Sequence, residues 1–265
     1  MAGILCVWAN VDKDAVEFYE NTVLPQVRNP NFHHSIHCEI TASGMENEPV
    51  GKLDSPWPYL TVFETRDVET ANKDIVDKTY TPPDEVMNGV FKESRFDTRT
   101  YRELKRWQDE EWKGEGGSGK MTSPDEGGAG LMNPEDIEDV ACVTAMEWSI
   151  VADKEADVLK YYMEVVGPLI AQSPDVLRFR LFQVDSATTI QGNQYTQKES
   201  KKLHKFFTMV ELASEEWPWD VVVELAEDEQ WKAYFDTDAV VKWQVSNFLV
   251  KQAYHEDNTK TPPHE

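Results

Sequence analysis

What this chain lacks narrows it first. It is short of positive charge: 26 lysines and arginines stand against 49 aspartates and glutamates, a formal net charge of −23 over 265 residues. Such a field repels a phosphate backbone, so a nucleic-acid partner is disfavoured, and solubility is the simplest use of the acidity. No apolar run approaches the roughly 18 residues that a membrane-spanning helix needs. No basic segment followed by a small-residue cleavage site opens the chain. The expectation is a soluble, cytoplasmic protein with no membrane partner. Cysteine is scarce and odd in number: Cys6, Cys38 and Cys142 each sit among strand-forming residues. They read as small buried hydrophobes in a reducing compartment, not a disulfide framework. Glycine is thinly spread except in one place, since seven of the thirteen fall in residues 114–130.

What is present is a duplication. Phe18-Tyr19 matches Tyr161-Tyr162 and Leu24-Pro25 matches Gly167-Pro168, both at an offset of 143. Residues 59–64 (YLTVFE) match 206–211 (FFTMVE) at 147, Phe96-Asp97-Thr98 matches Phe235-Asp236-Thr237 at 139, and Trp8 matches Trp148 at 140. Five blocks in one order with little drift indicate two copies of one unit.

Within each copy the periodicities give the same element order. Residues 4–9 are a short apolar run suited to a buried strand. Ala15, Tyr19 and Val23 then recur at helical spacing until Pro25, which lacks an amide and must bend or end the helix. Residues 32–40 alternate, placing His34, Ile36, Cys38 and Ile40 on one face and His33, Ser35, His37 and Glu39 on the other. After a polar loop at 41–58 come a strand at 59–65, a helix marked by Val68, Ala71 and Ile75, an irregular stretch at 79–95 and a strand at 98–104. The second copy repeats this with strands at 143–150, 177–184, 205–212 and 246–254, a helix stripe from Val158 to Leu169, a polar loop at 185–204 and a helix at 219–226. Pro218 is tolerable there only in the first turn.

The order β-α-β-β-α-β predicts an α+β fold of tandem ferredoxin-like repeats, spanning 1–110 and 139–255. The segment 111–138 reads as a flexible Gly/Ser/acidic linker and 256–265 as a charged tail. A ferredoxin-like sheet carries its helices on one face. Two such sheets in one chain can bury their open faces against each other and close an intrachain barrel with helices outside.

These blocks resemble the EthD-like branch of the dimeric α+β barrel superfamily, especially its two-repeat fungal members. The likeness rests on Phe18-Tyr19 through Pro25, Tyr161-Tyr162 through Pro168, the turn Pro174-Asp175 leading to Arg178-Phe179-Arg180, and the Phe-Asp-Thr pair. It implies a pocket between sheet and helices for a largely apolar natural-product intermediate. Relatives include cyclases and decarboxylases that work without metals and monooxygenases that use no flavin; the expectation is a cofactor-independent cyclase, isomerase or decarboxylase. Many relatives carry a histidine two residues before the helix proline; Val23 and Val166 stand there instead. That departure puts the family acid/base residue in doubt in both halves and favours, as the alternative, a binding or stress protein without chemistry.

Several motifs can be weighed on chemistry alone. Residues 114–120 (GEGGSGK) spell GxxxxGK, but the preceding segment is charged and Met121 replaces the hydroxyl, so a phosphate loop is not expected. His33, His34 and His37 cannot share a metal, because strand residues four apart are about 13 Å distant; no metal is expected. As acid/base candidates, His34, His37 and Glu147 stand out, the last because a carboxylate in an apolar strand needs a partner such as Arg178 or Arg180. Structural histidines and a structural ion pair are the plainer alternatives. Trp8, Trp148, Tyr59, Tyr101, Arg178 and Arg180 are the candidates for shaping a substrate pocket, the tryptophans equally serving as core. Asp97 and Asp236 read as caps. A haem site would need an axial ligand such as His204 or His255. The oligomeric state expected is monomer or homodimer.

Overall fold

The computed structural model describes residues 2–27, 29–41, 57–108, 134–199 and 202–255. The GxxxxGK stretch, the charged tail and most of the linker lie outside the described residues. Among the described residues, nine strands form one antiparallel sheet: β1 (Gly3–Asn10), β2 (Phe32–Ile40), β3 (Tyr59–Thr65), β4 (Arg95–Gln108), β5 (Cys142–Ile150), β6 (Val176–Gln191), β7 (Gln194–Gln197), β8 (Phe206–Leu212) and β9 (Val241–His255). Their order is β4-β1-β3-β2-β9-β5-β8-β6-β7, and β4 also pairs with β6. Eight strands therefore close a barrel, and β7 is a short hairpin partner of β6. The two halves are joined at β2–β9 and β4–β6, so neither half-sheet keeps a free edge at these seams.

The helices lie outside. In the first half they are α1 (Val16–Phe18) running into the turns Tyr19–Val23 and Leu24–Gln26, then α2 (Val68–Val76) and α3 (Asp84–Asn88). In the second they are α4 (Glu155–Tyr161), the turn Tyr162–Val166, α5 (Gly167–Ala171), α6 (Trp219–Glu227) and α7 (Glu229–Phe235). None of the described helices is long and apolar enough to cross a membrane. Asp67 caps α2 by accepting from the Thr70 amide, and Asp228 caps α7 by accepting from the Trp231 amide. The two prolines have a common consequence. The turns before Leu24-Pro25 and Gly167-Pro168 are both wound wide, with the Leu24 amide donating to Tyr19 and the Gly167 amide to Tyr162. A wide turn accommodates a ring that would otherwise meet the carbonyl four residues back.

Several boundaries differ from the sequence expectation, for physical reasons. β4 and β9 are longer than the apolar runs that mark them because they pair across the seams, where ladder bonds support polar residues. The polar loop expected at 185–204 holds the end of β6 and the β7 hairpin, turned at Gly192 with φ of +52°. The irregular stretch at 79–95 contains α3, and α7 lies ahead of β9 where no helix was expected.

The repeat itself is in a different register at two of its blocks. Gly3 lies opposite Thr65, and Cys142 opposite Leu212, so β1 and β5 superimpose at an offset of 139. Trp8 therefore corresponds to Glu147, and Trp148 to Ala9. A shift of one residue reverses the face of a strand. Trp8 accordingly points into the barrel, while Trp148 points out among the helices. Likewise Phe96-Asp97-Thr98 lies on β4, whereas Phe235 ends α7; the partner of Phe96 is Trp243.

The barrel is filled by Cys6, Cys38, Tyr101, Phe182, Phe207 and Met209 among others. Ile137, in the turn Pro134–Asp139, joins that interior.

Candidate functional site

Beneath the helices of the first half lies a pocket of about 680 Å³, its open space included. Leu5, Val7, Phe63, Phe96 and Thr98 make its floor on the outer face of β1, β3 and β4. Tyr19, Val23, Leu24, Ile75, Met87 and Phe91 make its roof and walls. Ile190, carried by β6 of the second half, closes one side, and Tyr80 contributes a second phenol. The Tyr80 hydroxyl donates to Asp74 and accepts from Asn29 at 2.7 Å.

The Tyr19 hydroxyl is different. It is buried and makes no hydrogen bond. Burial raises its pKa, tempered by the neighbouring Thr61, so the phenol is protonated at neutral pH. Thr61 also meets His37: its Oγ1 lies 2.9 Å from His37 Nδ1. His37 Nε2 lies 3.3 Å from Glu20 Oε1, and Lys251 Nζ donates to that same oxygen at 2.7 Å. Burial works to raise the Glu20 carboxyl, but Lys251 and His37 outweigh it and hold it below the ordinary carboxylate range. Burial lowers the His37 pKa more than Glu20 raises it, so the ring is neutral. A neutral ring facing a carboxylate carries its proton on Nε2. Nδ1 is then the acceptor, and it takes the hydrogen of the Thr61 hydroxyl.

The second half provides an internal comparison. Thr61 corresponds to Thr208, Tyr19 to Tyr162, His37 to Leu181 and Glu20 to Met163, as the matching registers of β2–β3 and β6–β8 and the helix offset require. There the Tyr162 hydroxyl is bonded to Thr208 at 2.9 Å. The space corresponding to the pocket is packed with rings. Trp148 lies 4.5 Å from Tyr162 and 5.0 Å from Phe206 between centroids. Trp107 sits so close to Gly167 that a Cβ there would be 2.4 Å from the indole; Leu24 takes the corresponding place in the first half.

The sequence candidates divide sharply by location. His37 stands directly behind the pocket wall, stacked on Tyr59 and edge-on to Tyr19, although neither His37 nor Tyr59 lines the pocket. His34, expected on the face of helices and pocket, instead enters the barrel, 3.4 Å from Glu64. The closed barrel makes both faces of β2 buried, so apolarity alone could not tell them apart. Arg178 and Arg180 lie in the same interior, paired with Glu64 and Glu211. Neither reaches Glu147. That carboxylate pairs with Arg99 and accepts from Gln244 at 2.7 Å, and Arg99 also meets Asp97 at 3.1 Å. Asp97, expected as a cap, is thus an interior counter-charge. Trp8 and Tyr101 pack on Phe207 inside the barrel, and Trp148 fills the second half. His204 is bonded to Ser149 and does not line the pocket, and the side chain of His255 lies outside the described residues. Among the described residues, no histidine lines the pocket.

Sequence reasoning missed Tyr19, Glu20, Thr61 and Lys251. The signal was available for the first three: the copies differ at His37/Leu181 and Glu20/Met163 while keeping the tyrosine and the threonine.

No protein-family model matches the chain, and no curated protein matches it. Solved structures do. An anthrone oxidase-like protein superimposes with a TM-score of 0.54 at 12% identity, over 100% of this chain and 96% of that one. A chlorite dismutase-like protein gives 0.50 at 9% identity, over 95% and 96%. A monooxygenase-like protein from Lactobacillus acidophilus gives 0.49 at 7% identity, over 96% of both chains. The first two establish what the strand order already indicates: this chain has the α+β barrel fold, completed within one polypeptide.

Proposed function

We propose that the first-half pocket binds an apolar small molecule bearing a carbonyl oxygen and stabilises its enolate, without a cofactor. The observation that carries this reading is Tyr19, a residue on the wall of a pocket lined by apolar side chains apart from Tyr80, Thr81 and Thr98, whose buried hydroxyl makes no hydrogen bond. Buried polar groups are nearly always satisfied, so an orphaned donor at a pocket wall calls for an acceptor on the ligand. A phenol kept protonated by burial suits an oxygen that gains negative charge in the transition state. Tyr80 offers a route for the proton lost from carbon: as its oxygen takes that proton, its own passes to Asp74.

Enolate formation is shared by keto–enol isomerisation, aldol cyclisation and decarboxylation of a β-keto acid. The reading therefore keeps the cyclase, isomerase or decarboxylase class, on a polyketide- or terpenoid-like substrate of natural-product metabolism. The tyrosine–proline motifs resemble those of the EthD-like two-repeat proteins, which supports this reading, and the compartment we propose is the cytoplasm. Val23 on the pocket wall, at the position where relatives carry histidine, favours the second reading, a binding protein with no chemistry.

The two separate on α-proton exchange of 2-tetralone, an apolar bicyclic ketone, followed by NMR in D2O. The enzyme reading expects exchange above the buffer rate, lowered about 100-fold by Tyr19→Phe. Saturable binding with exchange at the buffer rate would establish the binding protein instead.

A further inference from the structure

The floor of the first-half pocket carries a hydroxyl with no part in the chemistry proposed for Tyr19 and Tyr80. We infer that Thr98 is a specificity-determining residue: its side chain takes an alcohol or phenol oxygen of the ligand, separate from the carbonyl assigned to Tyr19. The inference rests on the first-half pocket being a ligand pocket. It narrows the substrate to an apolar ring system oxygenated at two places.

Thr98 lies on β4, which pairs with β1 on one side and β6 on the other, so that Thr98 stands between Val7 and Thr188. Main-chain groups on both sides are committed to these ladders and leave the threonine no local partner. The residue is 6% exposed and lines the pocket, and the surface it keeps faces that hollow. Among the described residues nothing bonds to its hydroxyl, yet that oxygen is not sealed within the protein. The other hydroxyls of the lining are engaged or buried. Tyr80 is bonded to Asp74 and Asn29, Thr81 accepts from Tyr195, and the Tyr19 oxygen is buried.

A hydroxyl without a partner on an apolar floor costs stability that valine, of nearly the same shape, would not. The second half has that valine. Val7 lies opposite Thr98 and Met146 opposite Val245, so at the offset of β1 and β5 the counterpart of Thr98 is Val245. Val245 is buried in the aromatic packing that fills the second hollow. The hydroxyl thus stands in the half that stays open. Thr61, Val7 and Thr98 form one row across β3, β1 and β4. Neighbouring strands are about 4.8 Å apart, which puts Thr98 roughly 10 Å from Thr61, the neighbour of Tyr19. Thr98 and Tyr19 therefore address different parts of a ligand.

The test compares tetralin with 5,6,7,8-tetrahydro-2-naphthol, which has the same frame and one added hydroxyl. Tetralin binding reports that the pocket is intact, and the affinity ratio of the two reports the contact with the added oxygen. The native protein is expected to prefer the phenol about tenfold. Thr98→Val, which copies Val245, is expected to keep tetralin binding and abolish the preference. Thr98→Ser, which keeps a hydroxyl, is expected to retain it. A preference that survives in Thr98→Val overturns the inference, whether or not Tyr19→Phe removes it. A native ratio near one overturns it as well. Should Thr98→Val bind neither compound, Thr98→Ala is judged by the same ratio. Failure of the native protein to bind either compound would instead defeat the pocket reading itself.

Discussion

At the scale of single residues, burial decides more than chemistry does. Arg178 and Arg180 are buried almost completely, and they survive in the barrel because Glu64 and Glu211 lie against them. Burial works to raise both carboxyls, and the two guanidiniums reverse the sign and hold them low. Removing one charge leaves the other unpaired in a poorly solvated place. Glu211→Gln is therefore expected to cost about 3 kcal/mol in a urea unfolding titration; a loss under about 1 kcal/mol would show that the interior charges are well solvated. His33 gives the matching pH prediction. Burial, then the charge of Arg66, lowers its pKa to about 4. The unfolded chain takes up that proton below about 6.5, whereas the folded chain resists it until about 4. Stability contributed by the neutral ring is thus full above about 6.5, falls as pH drops, and levels off below about 4. His33→Asn should flatten that part of a Tm-against-pH profile; an unaltered slope between the two values would refute the assignment.

At the scale of elements, the two copies show how one scaffold accepts opposite uses. The helix–proline unit is the same in both, down to the wide turn ahead of the proline, and Tyr19 and Tyr162 occupy equivalent places in it. The contents beneath differ. Ala9 and Leu24 leave room in the first half; Trp148 and Gly167 fill the second, the glycine admitting Trp107. The second half thereby gains a large aromatic core. Trp148→Ala should cost about 3–5 kcal/mol, measured by denaturant unfolding, because its neighbours cannot collapse onto the hole. Gly167→Ala should cost about 1–3 kcal/mol through its clash with Trp107. An Ala at 167 that leaves stability unchanged would show that the indole moves aside freely.

At the scale of the whole molecule, the barrel belongs to both halves. Glu64 of the first half is paired with two arginines of the second, and Arg99 of the first with Glu147 of the second. The seams β2–β9 and β4–β6 add main-chain ladders, and the first-half pocket takes Ile190 from the other half. Neither repeat can then lose its structure without exposing the other. Calorimetry should show one cooperative transition with equal calorimetric and van't Hoff enthalpies. Two resolved transitions would mean that the halves unfold as separate units.

The duplication, the β-α-β-β-α-β order and the closure of the sheets were legible in the sequence, because periodicity and repeated blocks depend on local spacing. His37 was legible as an ionisable group on a strand. Its partners were not, since Glu20 and Thr61 meet it from the helical turn and another strand, and Lys251 reaches Glu20 from a further strand, at separations no local pattern records. The facing of Trp8 and Trp148 was lost to a one-residue offset, which strand geometry turns into an inversion. Repeated blocks and their periodicity determined that two like modules would close on one another. Which of them stayed hollow was decided by tertiary packing, because a hollow is set by how side chains from different segments fill one volume, and no single segment contains that volume.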